Sequence, residues 1–434
     1  MRICVVALGK IGLPLAVQFG SKGHEVVGTD INADTVDLVN RGVEPFPGEA
    51  QLAEKLRDVV SRGLLTATTD TSAAVAGSEA VVVVVPLFVD DEGRPDFEWM
   101  DAATESIAQG LQPGTLVSYE TTLPVGTTRD RYAPMLEQGS GLAAGRDFHL
   151  VFSPERVFTG RVFADLRKYP KLVGGLDANS EKRGVEFYET VLDFDERADL
   201  PRPNGVWAMD SAEAAEMAKL AETTYRDVNI GLANQFAKFA DKAGIDVYKV
   251  IEACNSQPFS HIHQPGIAVG GHCIPVYPRL YLGNDPDATV VRAAREANAS
   301  MPEYAVERLE EEYGDLRGAK VAVLGAAYRG GVKETAFSGV FPVVAALRHR
   351  GAHVRVHDPL YTDEELAAFG WEPYYLGERV DAVIIQADHG EYRGLSLSAF
   401  PNAKILLDGR HLLDGGRSGG LQVGRRGASV GDVE

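Results

Sequence analysis

Three cysteines in 434 residues, Cys4, Cys254 and Cys273, are too few for a disulfide framework and point to a reducing cytoplasm. No apolar run approaches the ~18–20 residues of a membrane span. The longest, AVVVVVPLF over Ala80–Phe88, has the composition of a buried parallel strand and is stopped by Pro86. The N-terminal stretch MRICVVALG runs straight into a strand and a glycine turn, with no signal-peptide cleavage site. Positive charge is in deficit: 43 Lys and Arg face 62 Asp and Glu, a net charge of −19. That balance argues against nucleic acid and anionic membrane as partners, and an anionic ligand would need locally built positive charge. No metal is expected.

What is present is strand–helix alternation at both ends of a chain long enough for two or three domains. RICVVAL (2–8) reads as a buried strand, GKIGLPLAVQFGSKG as a turn and helix, and HEVVGTD as a second strand closed by Asp30. This is a βαβ unit of dinucleotide-binding form, although Ala7 stands where the first fingerprint glycine is usual. Within Gly9-Lys10-Ile11-Gly12, Gly9 allows backbone approach to a pyrophosphate and Gly12 allows tight helix–strand packing. Asp30 would accept hydrogen bonds from a ribose 2′-hydroxyl and repel a 2′-phosphate, which selects NAD over NADP. An ordinary tight βα turn is the plainer alternative.

In an open parallel sheet, ligands lie outside the carboxyl ends of the strands. Pro86, Thr121, Thr122 and Glu155 each follow an apolar strand and are candidate site residues on that ground. The C-terminal third repeats the pattern in AKVAVLGAAYRGG, AHVRVHDPL, DAVIIQAD and AKILLDG, a second doubly wound domain with a looser glycine turn. The last ~20 residues, rich in Gly, Arg and Ser, read as poorly ordered.

Between the two ends, Ala212–Lys242 lacks proline and predicts one long helix, with Asp210-Ser-Ala-Glu213 spaced as a capping box. Lys219, Thr223, Arg226 and Asn234 share one face of it, either a solvated stripe or one facing a site. The loop GIAVGGHCIPVYP (266–278) then sets Cys273 between a glycine pair and two prolines. Gly270 and Gly271 permit close approach, and successive N–H groups there suit an anion. No Lys or Arg lies between Asn255 and Pro278, so Lys219, Arg226 and Arg329 are the candidate sources of positive charge. His272 reads as a structural hydrogen-bonding group.

Taken together, GKIGLPLA, ETTLPVGTT, SPERV, AEMAKLAETTYRDVNIGLANQ, GGHCIPV and YRGGVKETAFSG resemble the UDP-glucose/GDP-mannose dehydrogenase family over about residues 1–410. The Gly-His-Cys form is most similar to the branch acting on UDP-N-acetyl-hexosamines. The resemblance implies two Rossmann-like domains of α/β class joined by a long central helix: an NAD-binding domain at 1–205, a helical dimerisation region with the nucleophile loop at 206–300, and a sugar-nucleotide domain at 301–434. It implies oxidation of a nucleotide sugar's 6-hydroxymethyl group to a uronic acid by NAD, in a cytoplasmic homodimer. Cys273 would carry the thiohemiacetal and thioester, Lys219 would stabilise an oxyanion, and Glu155 would position or deprotonate water. Thr122 would help hold that water, and Arg156 and Arg329 would meet the sugar nucleotide. Three family positions differ. Thr223 replaces an asparagine, Tyr277 an aspartate, and Ala336 an arginine. Competing readings are a relative that performs one oxidation or a redox-neutral epimerisation, and a non-catalytic sugar-nucleotide-binding protein.

Overall fold

In the computed structural model, which describes residues 1–90, 93–413 and 421–424, the chain forms two compact units, Met1–Ala221 and Glu222–Glu434. The expected disorder of the tail falls almost entirely on residues outside those described. No described helix is long and apolar enough to cross a membrane.

The first unit carries strands β1 (Arg2–Val6), β2 (Glu25–Thr29), β3 (Leu65–Thr68), β4 (Ala80–Val83), a small hairpin of β5 (Phe88–Val89) and β6 (Pro95–Asp96), then β7 (Leu116–Tyr119), β8 (His149–Phe152), β9 (Lys171–Gly175) and β10 (Val206–Ala208). Its main sheet runs in the order β10-β9-β8-β7-β4-β1-β2-β3. Alternate residues of β1 face opposite layers of helices: Ile3 and Val5 join one core, and Cys4 and Val6 the other. Strands are added outward from β1 in one sense through β2 and β3, and the chain then crosses back to add β4, parallel to β1, on its other side. That places the turn after β1 at the crevice where such sheets bind ligands. One edge of this otherwise parallel sheet is reversed: β9 runs antiparallel to β8, with Val151 opposite Gly175, and β10 pairs parallel to β9. The segment between β8 and β9 returns along the carboxyl end of the sheet, so β9 begins there rather than at the far side.

The second unit repeats the order with β11 (Lys320–Leu324), β12 (His353–His357), β13 (Glu372–Pro373), β14 (Ala382–Ile385), β15 (Ile405–Asp408) and β16 (Leu421–Gln422), arranged β13-β12-β11-β14-β15-β16 and all parallel. Its strands again alternate between two cores, Val321 and Val323 on one side and Ala322 and Leu324 on the other.

The expected long helix spans Ala212–Ala243, 32 residues, and the boundary between the units falls within it. Its cap differs from the expectation. Asp210 sits at φ +67°, and the Ser211 hydroxyl accepts the Ala214 N–H at 3.1 Å. Glu213 is drawn away from a capping role by Arg129, 2.5 Å from its carboxylate.

Candidate active-site groups of the two units

The turn after β1 is built for close approach. Ala7 holds φ +77°, a left-handed conformation that favours glycine, and its N–H donates to Thr29 O at 2.8 Å. A Cβ added to Gly12 would lie 1.9 Å from the Ala7 carbonyl oxygen, whereas one added to Gly9 would meet nothing within 4 Å. Gly12 is therefore required by packing, and Gly9 by whatever occupies the open space. Lys10 is exposed and Ile11 half-buried, and no side chain caps the helix Gly12–Ser21 that they lead into. The Asp30 carboxylate accepts the Leu8 N–H and the Asn32 N–H, both at 2.9 Å. These bonds aim it while leaving lone pairs for ribose hydroxyls. An uncapped helix N-terminus, open space over Gly9 and an aimed carboxylate fit a dinucleotide.

Across the sheet, the Thr121 hydroxyl donates to Val85 O at 2.6 Å, which ties the loop after β7 to the one holding exposed Pro86. Thr122, one residue on, is buried. Glu155 follows β8, and its carboxylate accepts the Arg156 N–H at 2.7 Å and the Lys171 ammonium at 2.9 Å. Burial alone would raise its pKa, but Lys171 and these hydrogen bonds outweigh burial and hold Glu155 below the usual range. Lys219 donates to the Glu155 carbonyl at 2.7 Å, and the Arg156 guanidinium to Pro170 O at 3.3 Å. Glu155, Lys219 and Arg156 thus form one cluster.

In the second unit, the Cys273 loop is fastened at several points. Gly266 N–H donates to Asn234 Oδ1 at 2.9 Å and Ile267 N–H to Gly409 O at 2.9 Å. Gly271, at φ +90°, donates its N–H to Ala336 O at 2.8 Å, and a Cβ on Gly270 would lie 2.6 Å from Tyr328 Cβ. The glycine pair is therefore needed for close packing against residues 328–337. The Gly271 N–H is already committed, which corrects the expectation that it waits for an anion. Arg329 is exposed, with Nε 3.1 Å from the Tyr328 hydroxyl. His272 is exposed, with Nε2 3.4 Å from the Glu334 carboxylate.

Cys273 itself is exposed, Cys254 intermediate and Cys4 buried, with burial pushing the Cys4 thiol up to about 12. Tyr277 opens the helix Tyr277–Asn284, and its N–H donates to the Cys273 carbonyl at 2.9 Å, one turn from the thiol. Thr223 is buried, and burial together with Arg226 keeps His263 below its ordinary pKa. Asn234 departs from the polar stripe. It is fully buried, and its amide also donates to Asn298 at 2.8 Å, so it braces the loop instead of lining open space.

Sequence reasoning missed four groups. Lys171 carried no motif of its own, and Glu120 entered only as the first residue of ETTLPVGTT, with no role assigned to it. Arg410 bonds to Ala268 O at 3.1 Å and Tyr328 O at 3.0 Å, which staples the cysteine loop to the turn after β11. Arg295 pairs with Asp227 at 2.7 Å and reaches Pro275 O at 3.3 Å, near the loop's other end.

Residues 1–192 match the UDP-glucose/GDP-mannose dehydrogenase family, NAD binding domain; residues 213–300 match its central domain and residues 322–415 its UDP binding domain. A UDP-N-acetyl-D-mannosamine dehydrogenase of Pyrococcus horikoshii is 36% identical over 425 residues, covering 95% of this chain and 96% of that protein. A solved structure of UDP-D-ManNAc dehydrogenase from that organism superposes with a TM-score of 0.86 at 34% identity, covering 98% of this chain and 99% of the other. An NDP-N-acetyl-D-galactosaminuronic acid dehydrogenase of Ralstonia solanacearum is 30% identical over 427 residues, 94% of this chain and 95% of that protein.

Proposed function

Because the chain belongs to the UDP-glucose/GDP-mannose dehydrogenase family and is an NAD-dependent nucleotide-sugar dehydrogenase, we propose that it oxidises the 6-hydroxymethyl group of a UDP-linked N-acetyl-hexosamine to the uronic acid. N-acetylmannosamine is the first candidate, on the likeness to the mannosamine enzymes. NAD, when bound, supplies a hydride acceptor for carbon 6. The turn Gly9–Gly12 and the helix behind it would hold the pyrophosphate, Asp30 the ribose, and Pro86, Thr121 and Thr122 the nicotinamide end.

Cys273 carries the covalent chemistry in this reading. Carbon 6 first loses a hydride and its hydroxyl a proton to give an aldehyde. The Cys273 thiolate adds to that carbon to give a thiohemiacetal, loss of a second hydride gives the thioester, and water releases the acid and the thiol. The Glu155 carboxylate, kept ionised by Lys171, suits the task of orienting that water and taking its proton. Lys219 donates to the Glu155 carbonyl, and its ammonium is suited to stabilising an oxyanion beside it. Thr223 and Tyr277 contribute hydroxyl donors, and Arg156, Arg226, Arg329, Gly270 and Gly271 shape the sugar-nucleotide side.

The observation that carries the reading is Cys273: an exposed thiol on a loop pinned by Gly266, Ala268 and Gly271. Cys273→Ser should abolish acid formation, while Cys4→Ser and Cys254→Ser should retain it. Two NADH per sugar are expected from the unmodified protein. Full turnover by the serine variant would remove the thioester route. Exposed Tyr225, Leu232, Phe236 and Phe239 on the long helix support a homodimer formed through it. The scarcity of cysteine and their unpaired state support a cytoplasmic setting.

A further inference from the structure

Behind Glu155 lies a second carboxyl that the chemistry above does not use. Glu120 follows β7, is 1% exposed, and shares the Lys171 ammonium with Glu155: Nζ stands 2.7 Å from Glu120 Oε2 and 2.9 Å from Glu155 Oε2. The third face of that ammonium lies over the Tyr188 ring, 4.8 Å from its centroid. One buried cation thus serves two buried carboxyls. Two negative charges against one positive charge is an arrangement that a low-dielectric interior resists, and one carboxyl is expected to hold a proton.

The hydrogen-bond partners decide which one. Two partners of Glu155 are fixed donors, the Arg156 N–H on Oε1 and Lys171 on Oε2. A proton added to Glu155 would confront one of them. Glu120 instead has the Tyr188 hydroxyl 2.7 Å from Oε1, and that hydroxyl lies 2.7 Å from Ser118 Oγ. Two hydroxyls in series can reverse direction. They donate toward an ionised Glu120, or accept from a protonated one and pass the bond on to Ser118. The Glu120 carboxyl is also within hydrogen-bonding reach of Glu155. The groups facing the pair include Lys171, Tyr188, Ser118 and Ser153 on the Tyr188 hydroxyl and, on the Glu155 carbonyl, Lys219.

We propose that Glu120 and Lys171 are positioning residues that set the charge of Glu155: Glu120 holds the cluster's exchangeable proton, so that Lys171 is left to keep Glu155 an oriented carboxylate. Burial pushes Glu120 up to about 7, against the pull of Lys171, and Glu155's charge adds to the rise. The inference deepens the role given to Glu155 and rests on it.

Difference infrared spectroscopy of the full-length protein reads the proton directly. Recorded in a Glu216→Gln background, which removes the other carboxyl pushed up to about 7, the protein should show a protonated carboxylic acid whose carbonyl stretch disappears as the pH passes about 7. Glu120→Gln should lack that band and keep its turnover of UDP-N-acetylmannosamine with NAD, because the amide imitates the protonated acid. Its pH–rate profile should lose the corresponding step. Lys171→Met should lower kcat by on the order of 10²-fold with a smaller change in KM, and Lys171→Arg should restore most of it. Persistence of the acid band when Glu120→Gln is added to the Glu216→Gln background, or undiminished kcat in Lys171→Met, would overturn the inference alone. Undiminished turnover by Glu155→Gln would overturn both it and the role of Glu155.

Discussion

Gly9 and Gly12 lie three residues apart and do different work, which the space around each makes measurable. A methyl group at Gly12 would collide with the Ala7 carbonyl, so Gly12→Ala should cost on the order of 1–3 kcal/mol of stability through overpacking. A methyl group at Gly9 enters open space, so Gly9→Ala should melt close to the unmodified protein. It should nonetheless lose NAD affinity, because the methyl takes the room of the pyrophosphate. Thermal melts alone and with NAD separate the two. A Gly9 variant that binds NAD normally would contradict the assignment. Ala7 adds a third case: the missing fingerprint glycine leaves alanine in a left-handed conformation, a tolerated strain that the sequence flagged only as a mismatch.

Among the elements, the long helix shows how a buried acid ties a loop in place. Glu216 accepts Gly126 N–H at 2.6 Å and Thr128 N–H and Oγ1 at 2.9 and 2.7 Å, which anchors the loop that follows Thr122. Burial pushes its pKa up to about 7 in spite of those three donors. A folded-state pKa above the unfolded value of 4.5 means that the native state binds the proton more tightly. The stability it contributes is complete below the unfolded value and is lost as the pH rises through about 7. At most about 3 kcal/mol is at stake. Urea unfolding across this range should show stability falling with pH, and less steeply in Glu216→Gln, whose amide costs one hydrogen bond but does not titrate. Equal slopes would show that Glu216 keeps its charge throughout. The same helix illustrates a limit of pattern reading. Periodicity put Asn234 in a polar stripe with Lys219, Thr223 and Arg226, but only the fold showed that Gly266 and Asn298 claim its amide.

For the whole molecule, the question is what covers the apolar side of that helix. Tyr225, Leu232, Phe236 and Phe239 recur at near-heptad spacing and are 58%, 46%, 39% and 63% exposed. A second copy presenting the same stripe would bury it across a two-fold axis. Phe236→Asp places a charge in such a seam and should weaken self-association by more than about 30-fold. Light scattering should show a dimer for the unmodified protein and a monomer for Phe236→Asp. A monomeric unmodified protein at micromolar concentration would end the proposal.

The local features of this protein were legible in its sequence because each rests on neighbours along the chain. The βαβ unit with Asp30, the second strand–helix domain, the helix from Ala212 and the stiff loop around Cys273 follow from periodicity, glycine placement and turn chemistry within windows of some 30 residues. The capping residue was misplaced by one because Asp210 takes a left-handed conformation that spacing does not reveal. Tertiary structure decided the rest. Lys171 meets Glu155 because β9 runs antiparallel to β8. That register, extended past the strand ends, sets the start of one strand across from the end of the other. Glu120, 51 residues from Lys171, joins them from β7. Arg410 reaches Ala268 across 142 residues of chain. Direction of pairing and long-range burial have no local signature, since a buried lysine and a surface lysine are the same letter until the sheet has closed around one of them.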